Sequence, residues 1–121
     1  MKPSEVLQEA LTELKKGPGG WTKHEYAKNA VGAAVSPGNE SAICRCAIGH
    51  LLHAGGVDKT YEKWPTEVNT GVRYLSKAIT GKLPKHGHED VASFNDKDET
   101  KYEDVVAIFE KAVVMAKKVG R

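Results

Sequence analysis

The sequence predicts a mostly α domain: a compact bundle of about four helices with a short extended or two-stranded insert after the first. Three observations carry this. Apolar residues recur at helical spacing in successive stretches of the chain, glycine closes most of those stretches, and the segment Tyr26–Ser36 is short and low in helical periodicity. A chain of 121 residues, 40% hydrophobic and 28% charged, suffices for one globular domain spanning 1–121, with a single core.

Ser4 is suited to cap the first helix, and Val6, Leu7, Ala10, Leu11 and Leu14 form one apolar stripe. Glu5, Glu9 and Glu13 lie outside it, Lys15 and Lys16 complement the dipole of the last turn, and Gly17-Pro18-Gly19-Gly20 stops the helix. Trp21 follows as a core anchor whose indole N–H needs a backbone partner. Tyr26–Ser36 reads as two short strands or an extended loop, closed by a turn at Pro37-Gly38-Asn39.

A central helix is expected from Ser41 to Gly55-Gly56, with Ile43, Cys44, Ala47, Ile48, Leu51, Leu52 and Ala54 on one broad apolar arc. Gly49 costs about 1 kcal/mol of helix propensity relative to alanine, which suggests the close approach of another element. After a loop with Tyr61 and Trp64, Pro65 opens a further helix whose stripe is Val68, Val72, Leu75 and Ile79, ended by Gly81. Lys82–Phe94 reads as a polar connector. The last helix is capped by Thr100 with Glu103 and buries Tyr102, Val105, Val106, Phe109, Ala112, Val113 and Ala116.

Net charge is +2 and evenly divided: residues 1–60 hold seven Lys/Arg against six Asp/Glu, residues 61–121 eleven against ten. Nucleic-acid binding by bulk electrostatics needs a larger, segregated basic excess, so it is not expected. No apolar run reaches membrane-spanning length and no signal segment precedes the first helix, so the expected location is cytoplasmic, with both thiols reduced.

Chemistry, if present, belongs to the cysteines and histidines. On a helix Cys44 and Cys46 point about 160° apart, so they neither pair nor share a metal. Cys46, His50 and His53 fall within about 60° of each other and are the one candidate metal row, set against packing of Cys46 at the core edge with both histidines in solvent. A second possibility is a cysteine nucleophile, Cys44 or Cys46, with His50, His53, His86 or His88 as base and Asn95 or Asp96 orienting it. That arrangement requires a sheet behind the histidine, and no strand is expected there. A calcium loop at 95–107 is excluded, because Lys101 and Ala107 stand where glycine and a bidentate acid are needed. Residues 86–104 carry seven acids against two lysines, which suits a solvated face or a basic partner.

Gly20-Trp21-Thr22, Cys46-Ala47-Ile48-Gly49 and Asn95-Asp96 before the helix Tyr102–Ala112 resemble a family of small uncharacterised proteins from bacteria and their phages. Its members look like a GW motif, a short extended segment, a (W)C-x-x-GA helix, a middle helix, and an ND turn before an EVL-type helix. The resemblance spans residues 20–116 and implies a fold but no activity. Trp21, Cys46, Gly49, Asn95 and Asp96 are the family-like positions. Arg45 stands where a tryptophan is common and His50 where a small residue is usual, which weakens the metal row. The function expected from all this is a non-catalytic accessory module, phage-like in setting, acting through a protein partner and needing no cofactor. A cysteine-dependent hydrolase or transferase and a small metal-binding protein are the alternatives. Oligomeric state is not encoded in any feature of the sequence.

Overall fold

The computed structural model describes all 121 residues: five α-helices, a short 3₁₀ turn and a two-stranded antiparallel sheet. In chain order they are α1 (Pro3–Leu14), the 3₁₀ turn Pro18–Gly20, β1 (Ala27–Asn29), β2 (Ala42–Arg45), α2 (Ala47–Ala54), α3 (Thr66–Thr80), α4 (His88–Asp96) and α5 (Tyr102–Lys118). The mostly α class with a small β insert stands; the helix count is five, not four. No helix is long and apolar enough to cross a membrane.

α1 packs on α5, α2 and α3, and α3 packs on α5 and α4, around one contiguous apolar core. The stripes of α1, α3 and α5 supply most of it: Leu7, Leu14, Val68, Leu75, Val105 and Phe109 are fully buried. Burying each such side chain is worth about 1.5–3 kcal/mol, which explains why the longest periodic segments are helices as expected. The caps differ from expectation by one or two residues. α1 starts behind Lys2, whose N–H donates to Glu5 Oε1 at 2.7 Å, with Pro3 in the first turn; Ser4 is inside the helix and buried. α5 starts behind Lys101, whose N–H donates to Asp104 Oδ2 at 2.9 Å, while Thr100 is buried beneath the turn. Tyr102 Oη–H donates to Leu14 O at 2.7 Å, fastening the start of α5 to the end of α1.

The largest correction falls on residues 41–56. Ala42–Arg45 is not the first turn of a helix but strand β2, pairing Arg45 with Ala27 and Lys28 with Cys44. On its other side Arg45 O accepts the Thr22 N–H at 3.1 Å. Backbone groups satisfied on both sides outweigh the helical arrangement of so short an apolar run. Ile43, placed on the buried arc by the helical wheel, is 58% exposed. The helix begins at Ala47, and Cys46 is its N-cap: extended backbone, with Sγ accepting the Gly49 N–H at 3.3 Å.

The second correction is α4. The expected polar connector over Lys82–Phe94 gives way to a helix at His88, behind Gly87 at φ 90. Its fully buried residues are Val91 and Asn95, an i, i+4 pair of which one is polar, so no apolar stripe marks it.

Candidate functional site

The connection from Trp21 to Tyr26 lies across the start of α2 and the end of α4, and Asn95 fixes it there. Asn95 is 1% exposed. Its Oδ1 accepts the Trp21 indole N–H at 2.7 Å and the Ala47 N–H at 3.0 Å. Its Nδ2 donates to Thr22 O at 3.1 Å and to Asp96 Oδ1 at 2.9 Å. Two donors and two acceptor contacts are the full capacity of a side-chain amide. Trp21 therefore finds a side-chain partner rather than the backbone partner expected, and Asn95 ties α4 to the helix start it abuts.

Asp96 extends this network outward. Its Oδ1 accepts the His24 N–H at 2.8 Å, and its Oδ2 lies 3.9 Å from His24 Nδ1. His24 holds φ 72, the one non-glycine residue with positive φ, a conformation costing on the order of 1 kcal/mol. The hydrogen bond to Asp96 keeps it there and leaves the imidazole exposed.

Of these, His24, Asn95 and Asp96 line a cleft of about 220 Å³, which Glu25, Tyr26, Cys46, Ile48, His88 and Ala92 complete. Tyr26 Oη lies 3.0 Å from His88 Nε2, and the His88 ring sits 5.6 Å from that of Trp64. Burial raises the Tyr26 hydroxyl above its ordinary value, so the phenol stays protonated. Burial also pushes the Cys46 thiol up to about 11, against the Gly49 N–H contact that favours the thiolate. The thiol is therefore neutral at neutral pH. No lysine or arginine lines the cleft, whereas Glu25 and Asp96 both do.

Of the residues singled out from sequence, Cys46, His88, Asn95 and Asp96 come together. His86 is exposed and outside the cleft, and Cys44 turns its Sγ toward Lys28 O at 3.9 Å. The Cys46–His50–His53 row does not converge. Cys46 caps the helix and faces the cleft, His50 lines a cavity beside Gly20 and Arg45, and His53 lines a third with Gln8 and Glu13. No group of three or more His, Cys, Asp and Glu side chains is arranged to hold a metal ion. His24, Glu25 and Tyr26 lie in a non-periodic connection that carries no sequence signal, and in the structure only His24 is marked, by its strained φ.

His50 is 3% exposed, and its Nε2–H donates to Gly20 O at 2.7 Å. The carbonyl accepts, so the proton sits on Nε2 and Nδ1 carries the lone pair. Burial lowers its pKa from the ordinary 6.5 to about 4. Because the folded value is depressed, stability is complete above pH 6.5 and declines as pH falls toward 4, where the folded imidazole also takes its proton. Urea midpoints should fall by the equivalent of about 2 kcal/mol between pH 6.5 and pH 5, above the main carboxylate titrations. His50→Gln should flatten that slope; an unchanged slope would mean another group carries it.

Fold and site together define a small helical domain in which the His24–Tyr26 connection borders a cleft against the start of α2 and one face of α4. The chain belongs to the DUF6197 family, described as a family of unknown function, which it matches over residues 1–114. No curated protein and no solved structure matches it.

Proposed function

We propose that this chain is a non-catalytic binding module, an intracellular accessory protein of a bacterium or its phage, which takes a basic side chain of a protein partner into the His24–Asp96 cleft. The observation that carries the reading is the strained His24, held at φ 72 by Asp96 at the mouth of a cleft that two carboxylates and no cation line. Strained non-glycine residues persist where the surrounding structure over-determines them, and binding sites are where they gather. Near the cleft residues in sequence, Glu89, Asp98 and Glu99 are exposed acids, and the Lys23 ammonium is engaged by the Lys97 and Asp98 carbonyls. A guanidinium or ammonium group can pair with Asp96 and Glu25 and rest its stem against the Tyr26 ring.

The cysteine-enzyme alternative has one favourable observation, that Cys46 and His88 line the same cleft, and one against it, the neutral buried thiol. Both readings meet in one experiment. Titration of labelled protein with N-acetyl-arginine amide should shift the His24, Tyr26 and His88 resonances, while N-acetyl-glutamate amide at equal ionic strength should not. Asp96→Asn should weaken the response at least about tenfold. Equal response to both amides, or none to either, overturns the reading. In the same samples iodoacetamide should label Cys46 slowly at neutral pH, and rapid labelling would restore the nucleophile.

A further inference from the structure

The His24–Asp96 cleft shares a wall with a neighbouring cavity of about 410 Å³: Glu25 and Tyr26 line both. The chemistry changes across that wall. The cleft has Asp96 and no cation, whereas the neighbour has Lys59 to offset Glu25, together with Ala34, Val35 and Tyr61. Tyr61 is 81% exposed, with the Lys59 ammonium 5.9 Å from its ring centroid. Glu25, on the shared wall, is exposed, and neither its N–H nor its C=O has a hydrogen-bond partner within the protein. Main-chain groups left to solvent between two cavities are what the main chain of a docking peptide pairs with. The wall is also pre-set. The Trp64 indole N–H donates to Thr60 O at 3.0 Å, anchoring the Tyr61 loop, and its ring packs on His88, which is bonded in turn to Tyr26.

We infer that both cavities take one segment of the partner, an extended peptide with a basic residue in the cleft and a large apolar residue two positions away on Tyr61 and Val35. This assignment rests on the cation reading of the cleft and adds the second residue and the main-chain contact at Glu25. Residues two apart in an extended chain project from the same face about 7 Å from each other, which suits two cavities with a common wall. With Glu25 and Lys59 offsetting each other, a charged residue gains little in the second cavity. Covering the exposed Tyr61 ring is the gain it offers, and aromatic surface of this kind contributes strongly when an interface buries it.

Acetylated tripeptide amides test the assignment. Acetyl-Arg-Gly-Phe-amide or the reversed acetyl-Phe-Gly-Arg-amide should bind at least about tenfold tighter than N-acetyl-arginine amide, because the second contact is intramolecular once the first has formed. The same peptides with serine for phenylalanine should show no such gain. The tighter peptide should also shift the Val35 and Tyr61 resonances, which N-acetyl-arginine amide leaves in place. Tyr61→Ser, at an exposed loop position, should abolish the gain while leaving the affinity for N-acetyl-arginine amide unchanged. A gain in either order supports the shared peptide site. Equal affinity of the phenylalanine and serine peptides in both orders, or a gain that survives Tyr61→Ser, overturns it and leaves the cation reading of the cleft standing. Absence of any response to N-acetyl-arginine amide removes that reading, and the shared peptide site with it.

Discussion

Asn95→Ala is expected to lower stability by about 4 kcal/mol, the largest loss from any single polar side chain in this domain. The substitution leaves the Trp21 indole N–H and the Ala47 N–H without their acceptor and removes the donors to Thr22 O and Asp96 Oδ1. Each orphaned donor costs about 1–3 kcal/mol when its partner is removed. For a domain of this size the loss corresponds to a fall in Tm of roughly 15 °C. Urea denaturation measures the free energy. A double-mutant cycle with Trp21→Phe isolates the shared bond, and the combined loss should be smaller than the sum by about 1 kcal/mol. Native-state hydrogen exchange should also show the Thr22–Tyr26 amides losing protection, since Asn95 and Asp96 are what hold that connection over the cleft. A loss under about 1 kcal/mol with unchanged exchange would mean that apolar packing alone positions the connection.

The parts of this fold that sequence makes visible are those in which apolar burial and local periodicity agree. α1, α3 and α5 each run for three turns or more, and most of their stripe residues are buried, although Ile79, Tyr102 and Val106 are only half-buried and Tyr74, Ala78 and Ile108, outside the stripes, are buried. Ala42–Arg45 departs from its helical expectation because four residues fit a helical wheel and a strand equally well. The choice between them is made by Ala27 and Thr22, whose hydrogen bonds to this segment no local pattern encodes. Cys46 hid the true helix start for a related reason, since a thiol is not among the side chains that ordinarily cap helices. α4 escaped because its deepest residue is an asparagine, which a search for apolar spacing scores as surface. The site is legible in the same uneven way. Of the motif positions, Asn95, Asp96 and Cys46 line one cleft, and Trp21 is hydrogen-bonded to Asn95 without lining it. His24 and Tyr26, which shape its mouth, sit in a connection whose conformation follows from tertiary hydrogen bonds. The histidine at 50, by contrast, was placed on a surface metal row, and burial has turned it into a neutral acceptor facing inward.

Gly49 is where the helix, the insert and the cleft meet, and Gly49→Ala is expected to destabilise the protein by about 3 kcal/mol net. In an unobstructed helix the change would add stability, by about 1 kcal/mol of propensity. Here the new Cβ would collide with the Tyr26 carbonyl oxygen and lie 3.0 Å from its carbonyl carbon. That carbonyl cannot swing aside freely, because it accepts the Cys46 N–H at 3.1 Å, and the Tyr26 hydroxyl is held by His88 at the far end. Relief therefore requires the whole insert to lift from α2, and overpacking of this kind against backbone costs more than against a rotatable side chain. Gly19→Ala is the matched control: its Cβ meets nothing within 4 Å and its φ is not positive, so its effect should stay within about 0.5 kcal/mol. Lifting the insert also uncovers the capping thiol, so iodoacetamide should label Cys46 faster in Gly49→Ala than in the parent protein at the same pH. Loss of stability with unchanged labelling would place the strain inside α2. Equal stability of the Gly49 and Gly19 variants would remove the close approach of Tyr26 as the reason glycine stands at this position.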